Sequence, residues 1–252
     1  MKSKALMLAI SSLLVTGATQ AATFVNGGFE DGNLNGWTQG GGSWGGNPAA
    51  PINPAPYVGG PSNNTVMTAP GVDPITGAST VYNGKNSVRV NDSNNNYSVS
   101  TLSQSVSNYT DQYIYFAWNA VLEASHGLTD SDHFGLSVMD LTTNTNLLSR
   151  SYSSAGAIGS GTSGVSWTNI NGWFTSGWVT ETIDLLALGA QGHDISLTLL
   201  AADCPYGGHA GYVYLDGFGG QAPINNVPEP ATLALMAVGL LGASRLSRRK
   251  QA

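Results

Sequence analysis

Apolar and polar residues alternate along much of the middle of this chain. In "SVRVND" the apolar positions are Val88 and Val90, and in "YIYFAWNAVLE" they are Ile114, Phe116, Trp118, Ala120 and Leu122. The same period of two recurs in "HFGLSVMD" (Phe134, Leu136, Val138), "DISLTLLAAD" (Ile195, Leu197, Leu199, Ala201) and "GYVYLDG" (Val213, Leu215). Successive strand residues point to opposite faces, so each run predicts a strand with one buried face. About nine or ten such strands, separated by turn residues and with little helical periodicity, predict an all-β sandwich. Only "ETIDLLALGAQGHD" has the pattern of a helical turn. Residues 23–222 read as one domain with no internal linker. Within it, residues 38–64 ("GGGSWGGNPAAPINPAPYVGGPSNN" and the two residues before) are too rich in Gly, Pro and Asn to build a core. They predict a long irregular loop of the kind that is usually functional or mobile.

Two further apolar runs sit at the ends and follow neither rule. Residues 1–22 place Lys2 and Lys4 before an apolar stretch, Ala5 to Val15, and then small residues with Ala21 and Ala22 as cleavage positions. That order predicts a secretory signal peptide. At the other end, residues 226–252 contain Val227-Pro228-Glu229-Pro230, an apolar span over 231–246, and a basic end of Arg245, Arg248, Arg249 and Lys250. About sixteen helical residues rise roughly 24 Å, a little short of a 30 Å hydrocarbon core, a mismatch that thinning and snorkelling accommodate. The basic end predicts a cytoplasmic C-terminus, and the prolines stop a helix from running back into the sandwich.

Composition sharpens once both ends are set aside. Between Thr23 and Asn226 the basic residues are Lys85, Arg89 and Arg150, three against fourteen acidic ones, which leaves eleven negative charges. No basic stripe exists to release counterions from DNA or RNA, so nucleic acid is excluded as a partner. Acidic loops do suit a hard cation such as calcium. The single cysteine, Cys204, has no partner for an internal disulfide and reads as a buried free thiol.

The opening "NGGFEDGNLNGW" resembles the start of galactose-binding-type jelly rolls, a class that includes many carbohydrate-binding modules. That resemblance implies a jelly-roll-like sandwich with a structural calcium joining the first strand to the last. Its ligands here would be Glu30, the Gly28 carbonyl and Asp216, with a contribution near Lys85 and Asn86. Chemistry supports the same ion independently, since calcium takes six to eight oxygens and acidic side chains beside glycine-freed carbonyls supply them. A second resemblance runs from "TAPGVDPITGASTVYNGKNSVRVND" to "AADCPYGGHAGYVYLDGF". It is to bacterial surface proteins with a D-C-x-x-G-G-H-x-G-Y-x-Y-x-D ending, where Ala210 departs from an expected aromatic. It implies a surface location and no settled activity. The tail itself resembles the PEP-CTERM sorting signal. By that resemblance the membrane hold is temporary, an exosortase in the membrane cleaves near the motif, and the producer is a Gram-negative bacterium. Gly239 and Gly242 would suit helix packing against such an enzyme.

Candidate chemistry is thinner. Glu123, His126, Asp132, His133, Asp203 and His209 are the residue types of a zinc or acid–base site. No H-E-x-x-H and no G-x-S-x-G accompanies them, so no catalytic residue is assigned and the set reads as turn formers and satisfied groups. On the last strand Tyr212, Tyr214 and Asp216 share the face opposite Val213 and Leu215, which predicts tyrosines turned outward or toward a loop. Outward aromatics stack on sugar rings, and Trp44, Tyr57, Tyr212 and Tyr214 are the candidate ligand-binding set, with Trp167, Trp173 and Trp178 as further aromatics. The expected role is a non-catalytic binding module at the cell surface or in the extracellular matrix, for exopolysaccharide. A purely structural envelope component and, less in keeping with the motifs, an extracellular hydrolase are the alternatives.

Overall fold

The computed structural model describes residues 23–45, 52–128, 130–158 and 164–222. The signal peptide and the whole sorting tail, with Val227, Pro228, Glu229 and Pro230 and the basic residues Arg245, Arg248, Arg249 and Lys250, lie outside the described residues. Among the described residues no helix is long and apolar enough to cross a membrane.

The described chain is an all-β sandwich of twelve strands. In chain order they are β1 (Thr38–Ser43), β2 (Thr65–Thr68), β3 (Asn86–Val90), β4 (Ser98–Val106), β5 (Tyr113–Glu123) and β6 (His133–Asp140). Then follow β7 (Thr145–Ser153), β8 (Thr168–Ile170), β9 (Trp173–Thr175), β10 (Val179–Asp184), β11 (Ile195–Ala202) and β12 (Gly211–Gly219). Helix is limited to α1 (Ser154–Ile158) and one 3-10 turn over Ala55–Tyr57. The short strands β2, β8 and β9 carry too few residues for a period to show, which is why the pattern predicts fewer strands. The expected helical turn is a hydrogen-bonded turn over 185–189, where Asp184 Oδ1 accepts from the Ala187 N–H at 3.0 Å.

One sheet has five strands in the order β1-β4-β11-β6-β7. The other has seven, in the order β2-β3-β12-β5-β9-β8, with β10 also paired to β5. Strands β9 and β10 share one edge of β5, taking its Val121–Glu123 and Tyr113–Trp118 halves respectively. The inward faces meet in one core that holds Val88, Val90, Leu102, Ile114, Phe116, Trp118, Phe134, Leu136, Ile195, Leu197, Val213 and Leu215. The alternation identifies all of these but Leu102, because a sandwich strand buries every second side chain. Trp118 sits at the centre, and its Nε1–H donates to Glu181 Oε1 at 3.1 Å. Arg150 holds the same carboxylate at 2.7 Å, so the indole's polar edge reaches an ion pair at the sheet margin.

Residues 38–64 depart from the expected irregular loop. They begin with β1, an edge strand whose Thr38–Ser43 pair with Ser103–Ser98 of β4. The strand is invisible to hydrophobic patterning because its centre is Gly40-Gly41-Gly42. Those glycines let later chain lie directly on the strand. A Cβ at Gly40 would run into the Tyr57 carbonyl and one at Gly41 into the Pro61 carbonyl. The Gly59 N–H donates to the Gln39 carbonyl at 3.1 Å, which pins the returning chain.

Candidate functional site

The N-terminal turn is sewn to the last strand. The Phe218 N–H donates to the Gly27 carbonyl at 3.0 Å, and Gly28 follows in the same turn. Two residues on, Glu30 accepts from the Lys85 N–H at 2.9 Å and the Asn86 N–H at 3.0 Å. Gly84 makes room for this carboxylate, since a Cβ there would lie 2.7 Å from Glu30 Cδ. Asp216 takes the other side of the bend that leads into β3, where its Oδ2 accepts from the Tyr82 and Asn83 N–H groups at 2.9 and 2.8 Å. Its second oxygen, Oδ1, is buried without a hydrogen-bond partner. Burial pushes the Asp216 carboxyl up to about 7, and the nearby charge of Glu30 adds to the rise. An orphaned carboxylate oxygen beside a second carboxylate fits a calcium ion, which would satisfy the one and offset the other. Asn86 is placed differently from the other three. Its Oδ1 accepts from Thr68 Oγ1 at 3.0 Å and its Nδ2 faces the Glu30 carbonyl at 3.4 Å, so its side chain positions Glu30 and offers no free oxygen.

The last-strand tyrosines turn toward the loop between β2 and β3, the alternative to solvent that the alternation leaves open. Tyr212 and Tyr214 are 1% and 0% exposed, not outward on the surface. Their ring face is covered by Met67, Ile75, Trp173 and Trp178. Both phenol O–H groups donate to one oxygen, Asp73 Oδ2, at 2.7 and 2.6 Å. Arg89 lies over the Tyr212 ring at 5.7 Å. Burial, with Asp73 alongside, raises both phenols far above their ordinary range. Trp44 is 4% exposed and donates from Nε1 to the Asp203 carbonyl at 2.7 Å. It packs on Val99, Leu200 and Ala202, with half-buried Ile52 and Tyr57 beside it. None of Trp44, Tyr212 and Tyr214 can receive a sugar ring, and Tyr57 alone of the set keeps partial exposure. Alternation states which face a residue takes; it is silent on whether other chain covers that face.

The face that stays accessible is the outer side of the five-stranded sheet. Here register lines up one hydroxyl per strand. Thr38 of β1 pairs with Ser103 of β4, Ser103 with Thr198 of β11, Thr198 with Ser137 of β6, and Ser137 with Ser149 of β7. Paired residues point the same way, and Leu197 and Leu199 point into the core, so this row faces out. Its members are half-buried or exposed. Five strands at about 4.8 Å spacing make the row roughly 19 Å long. Beside it lies an open depression of ≈ 490 Å³ whose walls include Ile52, Pro54, His133, Ser149, Ser151 and Thr198. His133 is buried at its margin, with Nε2 3.4 Å from Ser151 Oγ, and burial lowers its imidazole to about 4. No sequence argument used this row. Its signal is present in "FGLSV" and "ISLTLL", where small hydroxyl residues alternate with core aliphatics, and in "LLSRSYS", where they alternate with Arg150 and Tyr152.

The acidic and histidine candidates divide. Asp203 is buried and accepts from the Asn96 and Ser98 N–H groups, Ser98 Oγ and Asn91 Nδ2. It closes the turn between β3 and β4 and is structural. Asp132 is buried and accepts from Ser154 Oγ. Glu123 accepts from the Ala210 N–H at 3.0 Å. His126 and His209 meet edge to face, ring centroids 5.2 Å apart, away from His133. Cys204 is free and buried, as its sequence context predicts.

Residues 226–250 match the PEP-CTERM protein-sorting motif. That motif marks a protein exported and sorted to the cell envelope or surface, and it implies processing by an exosortase. No curated protein sequence matches the chain. Among solved structures, the carbohydrate-binding module TmCBM61, in complex with β-1,4-galactotriose, is similar at 14% identity and a TM-score of 0.40, covering 78% of this chain and 95% of that one. The CBM27-1 module from Caldicellulosiruptor saccharolyticus, in complex with mannohexaose, matches at 14% identity and a TM-score of 0.38, covering 77% and 93%. The K1 cleaved adhesin domain of Lys-gingipain from Porphyromonas gingivalis matches at 14% identity and a TM-score of 0.37, covering 76% and 94%. At such scores the ligands of those proteins say nothing about the ligand of this one.

Proposed function

We propose that this chain is an exosortase-sorted surface or matrix protein whose sandwich is a non-catalytic module that binds polysaccharide across the outer face of its five-stranded sheet. The observation that carries this reading is the in-register row Thr38–Ser103–Thr198–Ser137–Ser149. A glycan chain laid across the strands would exchange hydroxyl hydrogen bonds with each strand in turn. The depression at the β7 end, with Ile52 and Pro54 on one wall, would take an apolar sugar face against polar edges. Eleven excess negative charges on residues 23–226 favour a neutral or basic glycan over an acidic one.

Calcium belongs to the same proposal as a structural ion. Glu30 and Asp216 would hold it, with the Gly28 carbonyl as a further oxygen and Asn86 as the residue that orients Glu30. The role of the ion is to join the first turn to the last strand.

The test uses the purified protein against cellulose, β-1,4-galactan, mannan, mixed-linkage glucan and the producing bacterium's own exopolysaccharide. Retention on at least one neutral glycan is expected, with Ser137→Arg/Thr198→Arg weakening it about tenfold or more while the fold stays intact. Each bulky cation would occupy the trough and displace a hydroxyl. No binding to any of them at millimolar glycan would sink the reading. A purely structural envelope role is the second reading, and the burial of Trp44, Tyr212 and Tyr214 favours it, since the sheet then offers no exposed aromatic platform.

A further inference from the structure

The turn "DCPYGGH" brings a thiol and an imidazole together. The Cys204 N–H donates to the His209 carbonyl at 3.1 Å, and the Gly207 N–H donates to the Cys204 carbonyl at 3.1 Å. Gly207 and Gly208 take φ of 79° and 83°, the left-handed values that let the chain double back here. The Tyr206 N–H lies 3.4 Å from Cys204 Sγ and donates to it. A second loop, between β5 and β6, sets His126 against this turn. Its ring meets His209 edge-on at 5.2 Å and Tyr206 edge-on at 5.8 Å. One ligand atom from each of His126, Cys204 and His209 lies within 4.8 Å of the other two.

We propose that His126, Cys204 and His209 form a binding site for a borderline-soft transition-metal cation, Zn²⁺, with a fourth position open to water. Thiolate and imidazole are the ligands such a cation prefers, and three protein ligands plus water is the composition of an open zinc site. Ligand atoms about 2.0–2.3 Å from a tetrahedral zinc lie about 3.5 Å apart, so the trio needs only a modest contraction. His126 is exposed and free to supply that movement. Cys204 and His209 are held in place by the turn.

Three surrounding features suit a cation. Ser125 Oγ lies 3.3 Å from His209 Nδ1, a contact that orients the ring as outer partners of ligating imidazoles do. The Tyr206 N–H on Sγ stabilises negative charge on sulfur. Glu123, Asp132 and Asp203 cluster near the turn, close enough that the charges of Glu123 and Asp203 bear on Asp132. Among the described residues, the two ion pairs, Arg150–Glu181 and His193–Asp140, involve none of the three. A dication at the turn would offset this unbalanced charge. A thiolate alone would add to it. The Cys204 S–H now donates to the Asp130 carbonyl at 3.4 Å. On binding, the S–H bond is replaced by S–Zn and the proton leaves to solvent.

Chelator-treated protein, held in saturating calcium so that the other cation site does not contribute, is titrated with Zn²⁺ against a chromophoric competitor, and separately with Co²⁺. One Zn²⁺ per chain is expected, with a sulfur-to-cobalt charge-transfer band in the Co²⁺ form. Cys204→Ser should abolish that band. His126→Ala, an exposed position that leaves the fold untouched, should keep the band and weaken Zn²⁺ affinity about tenfold or more. Absence of stoichiometric Zn²⁺ binding, or affinity unchanged in His126→Ala, would overturn the site and leave Cys204 as an inert buried thiol.

Discussion

Asp73 lies outside the candidate chemistry, yet its carboxylate accepts five hydrogen bonds, as many as that of Asp203. Asp73 Oδ2 accepts from Tyr212 and Tyr214, and its Oδ1 from the Ile75 N–H at 3.1 Å, the Thr76 N–H at 2.7 Å and Thr76 Oγ1 at 2.8 Å. These bonds lower its carboxyl against the opposing effect of burial. The carboxylate fastens the loop between β2 and β3 onto β12 and seals a second small core. Asp73→Ala strands two buried phenols at once, at about 1–3 kcal/mol each. Chemical denaturation should show a loss of roughly 2–5 kcal/mol, and Tyr212→Phe/Tyr214→Phe introduced into Asp73→Ala should recover part of it. A loss under about 0.5 kcal/mol would mean the cluster is incidental. The partner that buries the tyrosines stands 139 and 141 positions earlier in the chain. No local pattern encodes a contact at that separation, so the sequence places Tyr212 and Tyr214 on the correct strand face and leaves open whether solvent or a loop meets that face.

Among the elements, legibility tracks how much apolar side chain each one carries. β3, β5, β6, β11 and β12 were readable because one full face of each enters the main core. β1 was not, because its packing is backbone on backbone at Gly40 and Gly41. The hydroxyl row was not, because it exists only across strands, and register follows from pairing that no single segment states. The carboxylate pair was placed by the opening turn and the last strand, and the structure brings Glu30 and Asp216 to one bend, residues 82–86, that neither motif contains. If calcium fills that gap, its stabilisation follows mass action. Calcium at about 100 times its dissociation constant contributes about 2.7 kcal/mol, or roughly 5–10 °C in melting temperature for a domain of this size. Chelation with EDTA should remove that increment, and Glu30→Gln should make the protein indifferent to both. Identical melting curves in calcium and EDTA would leave Asp216 Oδ1 unpaired for a reason other than calcium.

At the scale of the whole molecule, the sandwich and the tail impose different demands. The sandwich ends at β12, whose C-terminal half is tied to the N-terminal turn, so the chain leaves the domain at Gly219 with its core already closed. The sandwich is therefore expected to fold without residues 226–250, which suits a segment that processing would remove. In the sequence, Pro228 and Pro230 stand between the domain and the apolar run over 231–246. Replacing Pro228-Glu229-Pro230 with alanines should leave folding and any glycan or metal binding unchanged while blocking processing. Fractionation of the producing cells should then find full-length protein in the membrane and little mature form outside. Release of that variant at the wild-type rate would show that the motif is not what the processing enzyme reads. Deleting residues 226–252 should give the opposite outcome, a folded sandwich that never pauses at the membrane.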